Sequence, residues 1–158
     1  MEKIYFYKVR SGARLPVRAH PTDAGADLFY CPDPEWSNKC RWEGDTILIP
    51  SGESCLIPTG LKVDLPRGFM LEIKNKSGVA TKKRLIVGAC VVDAGYTGEI
   101  YVNLQNIGRQ NQMVEPNQKI AQAVVVPIVT PQIVEITQDP AEGETSRGSG
   151  GFGSTGDF

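Results

Sequence analysis

Turn-forming residues divide most of the chain into short segments, and this feature restricts the fold more than any other. Eleven prolines and 17 glycines are spread over 158 residues. They separate runs of β-branched and aromatic residues at intervals of roughly eight to twelve residues, which is typical of all-β sandwiches and barrels. Because this length suffices for one hydrophobic core, we predict a single all-β domain.

The predicted strands are short, and only one segment favours a helix. Ser77–Lys83 is predicted to form a helical turn, because Ser77 can cap a helix and the residues after Gly78 contain no breaker. Residues 31–45, called the excursion below, form an irregular segment whose Trp36 and Trp42 we expect to pack on other parts of the protein. Strands are predicted at 4–9, 25–30, 46–50, 55–58, 61–65, 69–74, 85–87 and 99–105, with two more between 120 and 136.

Charge and hydropathy exclude several classes of partner. The 17 basic and 18 acidic residues nearly cancel, so the chain has no general field for nucleic acid or an anionic membrane. No apolar run approaches the roughly 20 residues of a membrane span, and the N-terminal residues do not resemble a signal peptide. We therefore expect a soluble, cytoplasmic protein.

The cysteines and the single histidine do not form a recognisable site. Cys31, Cys40, Cys55 and Cys90 show no C-x-x-C spacing, and His20 is the sole histidine, which argues against a zinc site or a cysteine–histidine nucleophile. In a reducing compartment we expect free thiols. A pairing of Cys31 with Cys40 across the excursion is the alternative.

The segment from Cys90 to Glu99 is predicted to be a hairpin with an acid at its bend. Two valines lead into Asp93, an Ala-Gly pair permits a reversal, and Tyr96 follows. A carboxylate and an aromatic ring on a loop held by strands are well placed for catalysis. The same pattern also fits an ordinary type I turn in which Asp93 bonds its own backbone, and local sequence does not separate the two interpretations.

The C-terminal 21 residues have a different composition from the rest of the chain. From Gln138 onward the chain is rich in Asp, Pro, Glu, Ser, Thr and Gly, and it buries too little apolar surface to fix its own position. One interpretation is a disordered tail. The other is a phosphate clamp, in which flexible glycines, Arg147 and Phe152 close over a charged, flat ligand.

Five segments in order resemble the motifs of the homotrimeric, all-β deoxyuridine triphosphatases (dUTPases). They are Ala24–Leu28, Lys76–Ala80, Val92–Glu99, Lys119–Gln122 and Arg147–Gly156. The resemblance implies a single-domain β-barrel or jelly-roll-like fold over residues 1–137, with one short helix, and a flexible glycine-rich arm over residues 138–158 that closes over an active site. It also implies Mg²⁺-assisted, in-line attack of water on the α-phosphate of dUTP, giving dUMP and pyrophosphate. Such a reaction limits uracil in DNA and supplies dUMP for dTMP synthesis.

The resemblance also assigns roles to matching residues. Asp93 is implied to be the base that activates water, and Tyr96 to exclude a 2′-hydroxyl. Asp27 is implied to act in the outer shell of Mg²⁺ through water, while the triphosphate holds the ion. The residues implied to bind substrate are Lys76, Ser77, Gly78, Tyr96, Gln122, Arg147, Phe152, Gly153, Ser154 and Thr155. In such trimers each site combines motifs from three subunits.

This chain departs from the common family pattern at several positions. Lys76 replaces the usual arginine and loses its planar fork, Cys90 replaces a frequent glycine, and Asn117-Gln118 replaces a glycine–acid pair. Two other functions are compatible with the scaffold. One is a dCTP deaminase-like enzyme. That family lacks an intact glycine-rich arm, so the arm of this chain counts against it. The other is a nucleotide-sensing regulatory protein with a partner surface at the excursion.

Overall fold

The described part of the protein consists of short strands and one helix, as the sequence predicts. A computed structural model describes residues 3–35, 40–138 and 148. In this part of the chain the elements are β1 (Tyr5–Lys8), β2 (Ala26–Phe29), β3 (Arg41–Glu43), β4 (Thr46–Ile49), β5 (Ser54–Pro58), β6 (Leu61–Asp64), β7 (Phe69–Lys74), α1 (Ser77–Lys83), β8 (Leu85–Val87), β9 (Val91–Val92), β10 (Tyr101–Asn106), β11 (Gln112–Val114) and β12 (Lys119–Pro127). The all-β prediction with one short helix is confirmed.

The strands pair in four small sheets, all of them antiparallel. Their orders are β1–β6, β5–β10–β8, β11–β4–β3 and β2–β12–β7–β9. The last sheet joins strands that are far apart in sequence. It therefore positions most of the family motifs relative to one another.

Strand β10 shows how alternation builds the core. Val102 and Leu104 are buried, and Gln105 is exposed, as expected for a strand whose successive side chains point to opposite faces. Asn106 is also buried, and its amide donates to the carbonyl oxygens of Ile49 at 2.9 Å and Gln110 at 2.8 Å. The buried polar group is thus satisfied by backbone acceptors.

The helix has the predicted bounds, but its predicted cap is wrong. Ser77 is the first helical residue, and the N-cap is Lys76, which makes no side-chain capping bond. Arg84 ends the helix in the left-handed region with φ 55°. The Ser77 side chain is therefore not used to cap the helix.

Residues after Pro127 do not form the second strand that the sequence predicts. Within the described chain, 128–138 have no strand partner, and apolar side chains on this segment face outward. Val129 is 89% exposed and Ile133 is 97% exposed. A strand requires a neighbour to satisfy its backbone groups. Apart from Gly68, whose carbonyl oxygen accepts the Ile128 N–H at 2.8 Å, the described residues provide no neighbour here. The segment is therefore an unpaired apolar surface.

The excursion is more regular than predicted at its C-terminal end. Arg41–Glu43 pairs with β4, and Trp42 packs against the core, as expected for one of the two tryptophans. Trp36 lies outside the described residues. Cys40 forms a disulfide with Cys55, with 5.6 Å between the Cα atoms, so the expectation of free thiols is wrong for this pair.

The remaining described cysteines are free, and the proposed Cys31–Cys40 pairing is wrong. Cys31 is buried and Cys90 is exposed. Cys40 bonds Cys55 because tertiary structure brings the segment before β3 against β5, a juxtaposition that sequence spacing does not show. Among the described residues, no helix is long and apolar enough to cross a membrane.

Candidate active site

Strand β12 brings three sequence motifs to one end of a sheet. It lies between β2 and β7, and Gln122 pairs with Asp27 on one side and with Lys74 on the other. Two residues after Lys74, the chain reaches Lys76 and then the start of α1. Register alone therefore places the first, second and fourth motifs side by side, as the sequence resemblance implies.

Asp27 is the buried centre of a cluster with two lysines. It is 5% exposed, its Oδ1 lies 2.7 Å from Lys76 Nζ, and its Oδ2 lies 2.7 Å from Lys119 Nζ. Burial alone would raise the pKa of Asp27, but hydrogen bonds and charges from Lys119 and Lys76 outweigh it and lower the pKa. Two cations around one anion leave a net positive charge, which suits a phosphate group.

Lys119 is a site residue that the sequence analysis misses. The resemblance in the motif Lys119–Gln122 implies a role for Gln122 but none for Lys119. The lysine reaches Asp27 because β12 begins there and pairs with β2 at Phe29. That pairing depends on tertiary register, which the motif itself does not reveal.

Gln122 is held against two neighbouring segments. Its Nε2 donates to the Asn75 carbonyl oxygen at 2.8 Å. A Cβ placed on Gly25 would overlap the Gln122 amide. Glycine at position 25 thus permits a close approach between the first and fourth motifs.

Ser77 and Gly78 lie at the open edge of this cluster. Both are exposed, and a Cβ placed on Gly78 would meet no described atom within 4 Å. Packing within this chain therefore does not explain glycine at position 78. The Val79 and Ala80 N–H groups donate to the Lys76 carbonyl oxygen at 3.0 and 2.9 Å. The N–H groups of Ser77 and Gly78 precede these bonds and are open to an external group.

The predicted hairpin at Cys90–Glu99 is wrong as a strand pairing, because β9 pairs with β7 while β10 pairs with β5 and β8. The segment, which is named the hairpin for its bend, also has a different turn type from the predicted one. Tyr96 N donates to the Asp93 carbonyl oxygen at 3.2 Å, and Gly95 adopts φ 92°. A positive φ at the third turn position excludes a type I turn and is typical of type II. The Asp93 side chain is exposed at the bend, so the type I interpretation is wrong.

Tyr96 is fixed by the backbone that follows it. Its hydroxyl donates to the Glu99 carbonyl oxygen at 2.9 Å, and a Cβ on Gly98 would overlap the phenol ring. Asp93, Tyr96, Glu99 and Tyr101 line a cavity of about 280 Å³. Burial and the nearby Glu99 carboxylate raise the pKa of Tyr101 to about 12, so the Tyr101 hydroxyl remains uncharged at neutral pH.

One chain does not bring Asp93 to the lysine cluster. Val92 pairs with Leu71, so the next residue, Asp93, lies level with Met70 near the start of β7. The lysine cluster lies at the other end of β7, beside Lys74. Four residues along a strand correspond to about 13 Å. The acid and the phosphate-type groups therefore belong to different ends of the sheet.

The described residues do not form a direct metal site. They include no group of three or more His, Cys, Asp and Glu side chains that could hold an ion. Both Asp27 oxygens face ammonium groups, and the implied outer-shell contact of Asp27 with Mg²⁺ through water stays a prediction. The five arm residues with implied roles lie outside the described residues: Arg147, Phe152, Gly153, Ser154 and Thr155.

Comparison with known proteins identifies the family. The family model described as dUTPase matches residues 12–156, a range that includes all five motifs. The chain belongs to the dUTPase family. Deoxyuridine 5′-triphosphate nucleotidohydrolase of Clostridium tetani is 39% identical over 150 residues, covering 94% of this chain and 92% of the relative.

Solved structures of phage dUTPases share the fold. A point mutant of the Staphylococcus bacteriophage 80alpha dUTPase with dUpNHpp has a TM-score of 0.82 and 26% identity, and the match covers 99% of both chains. Phage 80alpha dUTPase with dUPNHPP is described as controlling transfer of virulence genes by a proto-oncogenic G protein-like mechanism. A mutant dUTPase of S. aureus phage phi11, with a TM-score of 0.74 and 24% identity over 88% of this chain and 99% of that one, is described as coordinating a structural Mg(II) ion.

Proposed function

We propose that the protein is a dUTP diphosphatase acting on the Mg²⁺ complex of dUTP. Water adds to the α-phosphorus, the bond to the bridging oxygen of pyrophosphate breaks, and dUMP and pyrophosphate leave. The observation that carries this proposal is the convergence of three dUTPase motifs at the end of one sheet around a net positive cluster. Family membership over residues 12–156 supports the substrate.

The lysine cluster would bind the phosphate chain. Lys76 and Lys119 keep 33% and 46% of their side-chain surface exposed, so a phosphate oxygen can reach both ammonium groups. Gln122, the Ser77 hydroxyl and the exposed backbone at Ser77 and Gly78 would supply neutral donors. Lysines act as point charges and make up for the missing arginine fork by number rather than by bidentate geometry.

We assign Asp27 a positioning role in addition to the outer-shell role that the resemblance implies. Its buried carboxylate would orient two ammonium groups, and Mg²⁺ would arrive on the triphosphate. An aspartate with a lowered pKa remains ionised at neutral pH. It therefore prevents the two lysines from repelling each other before the substrate binds.

The hairpin would supply the base and the selectivity for deoxyribose. The exposed Asp93 carboxylate would orient the attacking water and accept its proton. Tyr96, locked over Gly98 by its bond to Glu99, would form the wall that leaves no room for a 2′-hydroxyl. The cavity beside both residues is the proposed site of the nucleoside.

A homotrimer would unite the two halves of the site. The separation of roughly 13 Å between Asp93 and the cluster along the sheet supports an acid supplied by another subunit. The exposed apolar segment 128–138 offers a surface for association. Residues 138–158 of a third subunit would close as the arm over a site built on 1–137, in a cytoplasmic enzyme.

A nucleotide-sensing regulatory role is a second candidate. The solved phage 80alpha dUTPase with dUPNHPP, at 26% identity, is described in terms of gene-transfer control. In this chain the excursion presents a cavity of about 270 Å³ lined by Pro32, Asp33, Pro34, Trp42, Gly44 and Asp45. A partner that binds the protein only with dUpNHpp, and loses binding on Trp42→Ala while turnover persists, would support this role.

The proposed function is tested by product analysis with dUTP and dCTP. Pyrophosphate and dUMP from dUTP, without ammonia from dCTP, are expected, and Asp93→Asn should lower kcat by about 10²- to 10⁴-fold. Turnover by Asp93→Asn at the wild-type rate would contradict the assigned base. Ammonia release from dCTP would favour the deaminase-like alternative.

A further inference from the structure

An arginine outside the family motifs binds the base of the hairpin. Arg10 Nη1 donates to Glu99 Oε2 at 2.8 Å, and Nη2 donates to Glu99 Oε1 at 2.5 Å. Nη1 also donates to Asp33 Oδ2 at 3.0 Å. The guanidinium thus joins three segments: the end of β1, the excursion and the hairpin.

Glu99 is held from a second direction by backbone. Its Oε1 accepts the Gly60 N–H at 2.7 Å, and its side chain is only 9% exposed. A buried carboxylate with a bidentate arginine and a backbone donor has little freedom to rotate. The position of the Glu99 backbone is therefore fixed by contacts outside the hairpin.

The fixed position of Glu99 also fixes the position of Tyr96. Its carbonyl oxygen accepts the Tyr96 hydroxyl, and its side chain lines the same cavity as Asp93 and Tyr96. Moving Glu99 would move the acceptor that holds the phenol ring. Arg10 itself does not line this cavity, so it would act on the ligand only through Glu99.

The charge state of Arg10 agrees with this arrangement. Burial alone would lower the pKa of Arg10, but the hydrogen bond to Glu99 and the charges of Glu99 and Asp33 help to raise it. The guanidinium remains charged, and its planar fork matches a carboxylate in a way that a lysine ammonium does not. Charge and geometry can therefore be separated by substitution.

We propose that Arg10 and Glu99 are positioning residues that set the place of Tyr96 and so the selectivity for deoxyribose, without contributing to phosphate binding. This inference rests on the proposed function, because it concerns the nucleoside side of the same site. Asp33 orients the outer edge of the guanidinium. Its loss leaves the fork to Glu99 intact and has a smaller effect.

The test compares Arg10→Lys, Arg10→Gln and Asp33→Asn with the wild-type protein. Arg109→Gln, which changes an exposed arginine in the turn between β10 and β11, is the matched control. Steady-state constants for dUTP and UTP report selectivity, and inhibition by pyrophosphate reports the phosphate side. Hydrogen exchange of the hairpin amides, 93–99, reports positioning without any turnover.

The arginine variants should lose selectivity more than phosphate affinity. We expect Arg10→Gln to lower the ratio of kcat/KM for dUTP to that for UTP about tenfold, and Arg10→Lys a few-fold, with hairpin exchange faster in both. Asp33→Asn should change the ratio about twofold or less, and pyrophosphate inhibition should stay at the wild-type value throughout. Arg109→Gln should match the wild type.

Two outcomes would overturn the inference. One is unchanged selectivity and unchanged hairpin exchange in folded Arg10→Lys, which is the variant expected to fold if Arg10→Gln does not. The other is a parallel loss of pyrophosphate binding, which would indicate a general effect on the structure. Absence of dUTP turnover in the wild-type protein would instead refute the proposed function, and the exchange measurement would still test the positioning role.

Discussion

Complementation between two inactive chains should restore activity if the site is shared between subunits. One chain carries Asp93→Asn and the other carries both Ser77→Ala and Gln122→Ala. The register places the acid and the phosphate-binding groups about 13 Å apart along the sheet in one subunit. We therefore expect each complete site to take these two halves from different chains.

The size of the recovery follows from random assembly. In trimers formed from equal amounts of the two chains, a site is intact when one subunit has Asp93 and the neighbour has Ser77 and Gln122. The two choices are independent, so about one quarter of all sites should be intact before purification in a closed, symmetric ring. Purification through both tags leaves only mixed trimers, in each of which about one third of the sites should be intact. Each parent alone should retain no more than about 1% of wild-type kcat.

The assay is dUTP turnover after co-expression of the two chains with different affinity tags and purification through both. Doubly tagged trimers are required, since separate parents mixed after folding form no shared sites and provide the control. Turnover no higher than that of the parents would refute the shared site. It would show that Asp93 meets Ser77 and Gln122 within one chain.

Three further predictions concern single groups. Asp27→Asn should lower the free energy of unfolding by about 2 kcal/mol at neutral pH. Because the folded-state pKa of Asp27 is lowered, its contribution to stability is present above the ordinary pKa near 4 and is lost as the pH falls below that value. Urea unfolding measures the difference in free energy of unfolding between the wild type and Asp27→Asn. A difference that stays constant from pH 7 to pH 3 would contradict the ion-pair account. Tyr96→Ala should reduce the preference for dUTP over UTP at least about tenfold in kcat/KM, and unchanged preference would show that Tyr96 does not guard the sugar. Truncation after Glu144 should remove most turnover but leave a trimer by light scattering, since the exposed apolar segment 128–138 remains; dissociation would show that the arm is structural.

Local sequence was sufficient for the fold class and for the helix. Proline and glycine punctuation, alternation along β10 and the bounds Ser77–Lys83 all follow from residues close in sequence. The predicted cap was wrong because the helix begins at Ser77 itself. The N-cap position is therefore occupied by Lys76. The predicted strand beyond Pro127 was wrong for the single chain because strand formation depends on a partner.

Contacts between distant segments could not be derived from the sequence. The motif residues Asp27, Lys76 and Gln122 were selected, but the ion pairs of Asp27 with two lysines depend on the register of β12. The Cys40–Cys55 disulfide depends on tertiary proximity in the same way. Sequence motifs identified residue types, and the sheet determined which side chains meet.

The most direct test of the proposed reaction is hydrolysis of Mg²⁺·dUTP in water enriched with ¹⁸O. Attack on the α-phosphorus predicts one ¹⁸O atom in the dUMP product and none in pyrophosphate, as measured by mass spectrometry after a single turnover. Label in pyrophosphate, with unlabelled dUMP, would place the attack on the β-phosphorus and contradict the proposed mechanism.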